Sequence, residues 1–302
     1  MTLLPSATEI VCALGFEDQL VGRSHECDYP PSITKLPALT APTFNVEGTS
    51  VEIDERVRDI VGRALSVYRI DAATLAEVRP DLIITQSQCD VCAVSMSEVE
   101  AAVSRWTGTR PTIVSLAPYR LADVWKDIET VATALGAAER GVELAGRLKQ
   151  RCAAIEKCAA MLSERPGVAC IEWIEPLMGA GNWMPEMVAM AGAFSVFGKS
   201  GEHSPYVAFE ELARRDPDIV IIAPCGFAIE RTMKEFALLQ SKPAWAGMKA
   251  VRDGRVFVAD GNQYFNRSGP RLVDSLEILA EIVHPEAFHF GHEGSAWRRI
   301  GG

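Results

Sequence analysis

A ten-residue pattern that occurs twice limits the architecture of this 302-residue chain more than any other feature. Residues 75–84 read LAEVRPDLII and residues 212–221 read LARRDPDIVI. Each copy is the end of a helix, a Pro-Asp turn and an unbroken apolar run. Proline drives its predecessor out of the helical region, and an all-apolar run suits a strand covered on both faces of a parallel sheet. Copies so far apart are not a solenoid period. They fit two α/β lobes in tandem, which the length also favours.

The flanking sequence repeats the alternation. Residues 1–4 read as a short strand entering a helix, with Ser6-Ala7-Thr8-Glu9 as a capping box and Gly15 as the stop. Leu20–Arg23, Leu82–Thr85 and Thr112–Leu116 are strand candidates in the first half; Val168–Trp173, Ile219–Ala223 and Val256–Ala259 are those of the second. Between the halves a helix over about 121–135 ends at Gly136, and a second runs to about Leu162. Ala145, Leu148, Cys152, Ile155, Ala159 and Leu162 form one apolar stripe on it, opposite a charged face. A stiff connecting helix would confine relative lobe movement to a small hinge. A last helix is expected from Gly269-Pro270 to about Val283. The implied domains are 1–118, a helical linker at 119–163, 164–285, and a solvated tail at 286–302 carrying His289 and His292.

A net charge of −10 with scattered Lys and Arg excludes the basic face that nucleic acid needs. No apolar stretch approaches the roughly 18 residues that span a bilayer, so the protein is not membrane-embedded. The start shows no basic n-region with an apolar core and cleavage site. Cys12, Cys152, Cys158 and Cys170 fall in apolar or helical settings, where a thiol is usually a small buried hydrophobe. With no disulfide framework in the cysteine spacings, a cytoplasmic protein is expected, or a periplasmic or membrane-anchored one if the true start differs.

Ligands of open parallel sheets bind beyond the carboxyl ends of the strands. That rule selects the loops at 24–30, 86–92, 179–183, 224–227 and 260–267, with His203 and Tyr206 ahead of the second repeat. Ser6, Tyr29, Gln86, Asn182, Trp183, His203, Tyr206, Tyr264, Phe265 and Arg267 are the candidate ligand contacts, Trp183 by stacking. Cys27, Cys89, Cys92 and Cys225 also fall in these loops, with His25 nearby. Cys89 and Cys92 form a C-x-x-C, whose spacing suits one metal or one disulfide. Three readings stay open: thiols that line a pocket, a zinc or iron–sulfur centre on these side chains, and a thiol oxidoreductase using Cys89 and Cys92. Glu175, Glu186 and Glu210 are isolated carboxylates. Nucleophile-elbow, Walker, dinucleotide-binding and H-E-x-x-H motifs are absent from the sequence, so a binding protein is expected before an enzyme.

Residues 3–10 (LLPSATEI), the Gly15 break, Val21-Gly22, the paired Pro-Asp strands, the inter-lobe helix and Asp253-Gly254-Arg255-Val256 resemble the substrate-binding proteins of vitamin B12 and iron-siderophore uptake. The resemblance spans about residues 2–284, and Asp28-Tyr29-Pro30 resembles an early cleft loop of the cobalamin branch. It implies two Rossmann-like α/β lobes with parallel sheets joined by a long rigid helix, and a cobalamin or other metal chelate held between them. It also implies docking to an ABC permease through one glutamate per lobe. Glu210 matches the second position, while its counterpart ahead of Pro80 is Ala73, a departure that counts against a standard permease. The His25–Cys27 and Cys89–Cys92 pairs also depart from the transport pattern and fit a cytoplasmic branch.

Overall fold

In the computed structural model, residues 1–63, 65–88, 96–104 and 110–300 are described. The chain divides into two compact units. The first is Met1–Gly48, Glu52–Pro118 and Ala122–Arg147; the second is Thr49–Val51, Tyr119–Leu121 and Leu148–Gly302.

In the first unit the order is α1 (Pro5–Ala13), β1 (Thr40–Pro42), α2 (Ser50–Gly62), β2 (Tyr68–Ile70), α3 (Ala72–Val78), β3 (Leu82–Gln86), α4 (Met96–Val103), β4 (Thr112–Leu116), α5 (Leu121–Ala134) and α6 (Ala138–Ala160). Strands β3 and β4 pair in parallel, Leu82 opposite Thr112. A parallel bridge joins Thr2 to Ile84, the Thr2 N–H reaches the Gly22 carbonyl (3.4 Å), and a second parallel bridge joins Arg23 to Ala38. The expected strand at Leu20–Arg23 is therefore reduced to one bridge. The segment it meets carries Pro37, which has no N–H to give, directly beside the bridge. Helix α1 opens one residue before the expected cap, with Pro5 at its first position and Leu4 extended. Ser6 and Thr8 are buried rather than capping, and the Thr8 hydroxyl bonds the Leu4 carbonyl (3.3 Å). Leu3, Leu39, Leu75, Ile83, Val99 and Val103 form a core of this unit.

The second unit holds β5 (Gly167–Trp173), β6 (Met178–Gly179), α7 (Met184–Met190), β7 (Phe194–Ser195), α8 (Phe209–Arg215), β8 (Ile219–Ile222), α9 (Ile229–Gln240), α10 (Lys249–Arg252), β9 (Val256–Ala259), α11 (Leu272–Val283) and β10 (Trp297–Ile300). Its sheet runs β10-β9-β8-β5-β6, with β7 also paired to β5. The β9–β8–β5 centre is parallel, and its residues are almost wholly buried, as both-faces coverage requires. Fold class, two α/β lobes with parallel sheets, is as the sequence implies.

The repeat is structural. Both copies end their helix on a non-glycine residue in the left-handed region, Arg79 (φ 40°) and Asp216 (φ 44°), each directly before its proline. In both, that residue's N–H closes on the leucine four before it, Leu75 or Leu212, at 3.2 Å. Ala145, Leu148, Cys152, Ile155 and Ala159 of α6 are buried, and the helix carries the chain from one unit into the next between Arg147 and Leu148.

The segment after α11 differs from the solvated tail expected. Trp297–Ile300 pairs antiparallel with β9, so this stretch forms the sheet's edge. Glu281, 5% exposed, anchors it: one carboxylate oxygen accepts backbone N–H groups of Phe290, Gly291 and His292, and the other accepts the Trp297 indole N–H (2.9 Å). His292 Nε2 lies 2.9 Å from Glu277, which also receives Arg151 of α6 (2.6 Å). His289 stays exposed.

Candidate functional site

The parallel order within each unit fixes which loops share the carboxyl edge of its sheet. In the first unit, Ser6, the loop from Ser24 to Pro30, and Gln86 follow adjacent parallel segments. Ser6 and Gln86 are buried, at the start of α1 and the end of β3, and Tyr29 is exposed. His25 is half-buried. Its Nδ1 and its backbone N–H both meet the Thr40 hydroxyl oxygen, at 2.8 and 3.1 Å, and that hydroxyl donates to Ser24 Oγ (2.9 Å). The Tyr68 ring lies 5.3 Å away, its hydroxyl donating to Glu26 (3.2 Å). Burial, then the charge of Arg23, hold His25 below the usual histidine range. Cys27 is buried beneath this loop, its sulfur accepting from Thr8 Oγ1 (2.9 Å), which is in turn 2.7 Å from Thr2 Oγ1.

In the second unit the corresponding edge is built around a carboxyl that the expected contacts do not include. Glu172, near the end of β5, accepts from Ser204 Oγ (2.7 Å), and Ser204 Oγ accepts from the Gly181 N–H (3.0 Å). Burial pushes the Glu172 carboxyl above the usual range, against the pull of Ser204, His203 and the Gly181 N–H. A cavity of about 10 Å³, large enough for one water, is lined by Glu172, Cys170, Met184 and Asn266 among others. Asn182 takes a left-handed backbone (φ 51°), and its side-chain Oδ1 is buried with no hydrogen-bond partner among the described residues. Trp173 likewise has a buried indole N–H with no partner among the described residues, while its ring meets Phe227 at 5.1 Å and Arg231 covers Phe227 at 3.9 Å. Unsatisfied buried polar atoms are uncommon in native proteins and mark places where a ligand or water completes the bonding.

Several expected contacts take other positions. Trp183 is 5% exposed and donates its indole N–H to the Phe265 carbonyl (2.8 Å), and Phe265 is 3% exposed. Both rings are core groups of the second unit, so the stacking role is withdrawn for Trp183 and the contact role for Phe265. Arg267 is also buried, 3.3 Å from Asn262 Oδ1. His203 and Tyr206 are exposed, with His203 Nδ1 at 3.0 Å from the Ser204 carbonyl. Tyr264 is half-buried under Arg271, 5.4 Å from its ring. Glu210 is exposed in the first turn of α8, and Glu175 and Glu186 are tied to Lys242 (2.9 Å) and to the Leu121 N–H (3.2 Å).

The cysteine-centred reading gains no support. Cys89 and Cys92 lie outside the described residues, so neither the C-x-x-C nor the thiol oxidoreductase built on it is placed. Cys27 belongs to the first unit, buried, and Cys225 to the second, exposed. Among the described residues no group of three or more His, Cys, Asp or Glu side chains is placed to hold a metal ion. Burial raises the thiols of Cys12 and Cys170 to about 12 and of Cys152 to about 11, so these are protonated, inert groups. Cys158 is exposed on α6 rather than buried.

Parallel α/β units whose carboxyl-edge loops carry buried, incompletely bonded polar groups are the architecture of a small-ligand receptor. The family model described as "Periplasmic binding protein" matches residues 2–262, and the chain belongs to that family. It is 23% identical over 296 residues to an uncharacterized ABC transporter substrate-binding lipoprotein, YvrC, of Bacillus subtilis, covering 95% of this chain and 80% of the relative. It is also 23% identical over 294 residues to a vitamin B12-binding protein of Vibrio cholerae, covering 94% and 88%. Among solved structures, a periplasmic heme-binding protein from Pseudomonas aeruginosa superimposes with a TM-score of 0.74 at 21% identity, over 100% of this chain and 97% of the other. The family overturns the cytoplasmic expectation. No helix among the described residues is long and apolar enough to cross a membrane.

Proposed function

We propose that the protein is the solute receptor of an ABC importer, working outside the cytoplasmic membrane, and that its solute is cobalamin, another corrinoid or a related metal chelate. The observation that carries this reading is the match to a vitamin B12-binding protein along 94% of the chain. The likeness to a heme-binding structure supports the wider class, a planar macrocycle around one metal. Tyr29, Tyr206, Tyr264, Asn182, His203, Ser6, Gln86 and Arg267 remain the ligand residues proposed, joined by Glu172, Ser204 and Trp173. Glu172, held with Ser204 at the edge of the sheet, places polar oxygen where the amide groups around a corrinoid rim could bond. Glu210, exposed on α8, is the proposed permease contact; Ala73 opposite it in the repeat leaves the first unit to dock by other residues.

Thermal unfolding with added cobalamin tests the assignment. A solute bound to the native state alone stabilises it by about 2.7 kcal/mol at a hundredfold excess over its dissociation constant. A midpoint rising with cobalamin concentration is expected. A midpoint unmoved by both cobalamin and hemin would remove the reading.

A further inference from the structure

The loop that carries Tyr29 is assembled on one guanidinium. Arg23 opens it, and the Arg23 main chain also closes it. The Arg23 N–H reaches the Pro37 carbonyl (3.1 Å) and the Leu39 N–H reaches the Arg23 carbonyl (2.9 Å), so residues 24–36 leave and return at one bridge. The side chain then turns into the loop. Nη1 divides its two protons among the carbonyls of Ser24 (3.0 Å), His25 (3.4 Å) and Cys27 (3.1 Å), and Nη2 donates to that of Thr34 (3.2 Å).

The loop is poor in donors of its own. Pro30, Pro31 and Pro37 contribute no N–H. The N–H groups of His25 and Glu26 go to hydroxyl oxygens instead of carbonyls, those of Thr40 (3.1 Å) and Ser24 (3.4 Å). Main-chain bonds do run within it, from Cys27 to Ser24, Ile33 to Pro30 and Leu36 to Ile33. A carbonyl turned inward without a donor is costly, and a cation makes the stronger, charge-assisted bond. Ser24, Cys27 and Ile33 are buried around this centre, while Tyr29 stands exposed at the turn. Lysine could not replace the fork, since an ammonium offers its donors from one atom where this loop is bonded from two.

We infer that Arg23 is the positioning residue of the first unit's solute loop, its guanidinium holding residues 24–36 in the binding shape before a solute arrives. This rests on the proposed function and deepens it, because it assigns the order of the loop to a residue that need not touch the solute. Fixing the backbone of even one residue costs about tenfold in an equilibrium constant. A receptor that has ordered this loop on folding is spared that cost on binding.

The test starts from the unliganded full chain. In Arg23→Lys and Arg23→Ala, amide exchange at Cys27, Ile33 and Leu36 should quicken by about tenfold or more, while the β3–β4 ladder keeps wild-type protection. Affinity for hydroxocobalamin or hemin, whichever wild type binds, should fall by about tenfold or more. Millimolar guanidinium should restore both slow exchange and affinity to Arg23→Ala. Ammonium at the same concentration should restore neither, and wild type should respond to neither ion. Wild-type exchange in both variants would overturn the inference, as would quickened exchange with unchanged affinity. Equal loss of protection in the ladder, or rescue by ammonium as complete as by guanidinium, would also overturn it. Binding of neither chelate by wild type would remove the receptor reading and the solute role with it, and exchange in the free chain would still decide whether Arg23 orders the loop.

Discussion

Asp127 on α5 has an oxygen, Oδ2, buried with no hydrogen-bond partner among the described residues, and Asp123 lies one turn before it on the same face. Burial, then repulsion from Asp123, pushes its carboxyl up to about 7. A carboxyl whose pKa is higher folded than unfolded favours folding while protonated, so its contribution is lost as pH rises from about 4 to about 7. Asp127→Asn should accordingly gain stability over wild type at pH 8 and much less at pH 5, in urea unfolding at the two values. A gap of equal size at both would contradict the assignment. Glu281 differs in its bonding, a buried carboxyl group with four donors on its two oxygens. Glu281→Ala strands those donors and should cost about 3 kcal/mol, with fast amide exchange at Phe290, Gly291 and His292. Unchanged exchange there would show that β10 does not depend on this anchor.

Among the elements, the strands of the second unit were the easiest to read and the polar loops the hardest. Apolar runs at Val168, Ile219 and Val256 have one physical solution, a strand buried on both faces, and β5, β8 and β9 follow within a residue. The Pro-Asp repeat announced α3–β3 and α8–β8 equally well, since a proline fixes its neighbours locally. Leu20–Arg23 failed because one bridge leaves no periodic trace. Trp183 and Phe265 were misread because an aromatic residue in a loop looks the same in sequence whether it faces a ligand or closes a core. Glu172 was missed although a signal existed: it is the one charged residue in β5, and a carboxylate inside a buried strand needs a reason. The network of His25 with Ser24 and Thr40 had no such signal, because Thr40 comes from a distant segment. Gly181 belongs to this scale as well. A Cβ there would lie 2.6 Å from the Glu202 carbonyl and 2.7 Å from the Ser204 nitrogen, both backbone atoms. Gly181→Ala should therefore displace the loop carrying Ser204, cost about 1–3 kcal/mol and weaken solute binding. A variant with wild-type melting and affinity would show that the loop gives way freely.

At the scale of the whole molecule, each of the two units has its own parallel sheet, and α6 belongs to both. Length and repeat made that division legible in advance. What composition could not convey was the compartment, and the family had to supply the correction. The reading proposed for this scaffold is reception of a metal macrocycle. Isothermal titration of the full chain with hydroxocobalamin, repeated with hemin, tests it most directly. Saturable heat with one macrocycle per chain is expected for at least one of the two, with a negative heat-capacity change from the apolar surface buried. No heat from either at high micromolar concentration, with the protein shown to be folded, would contradict it.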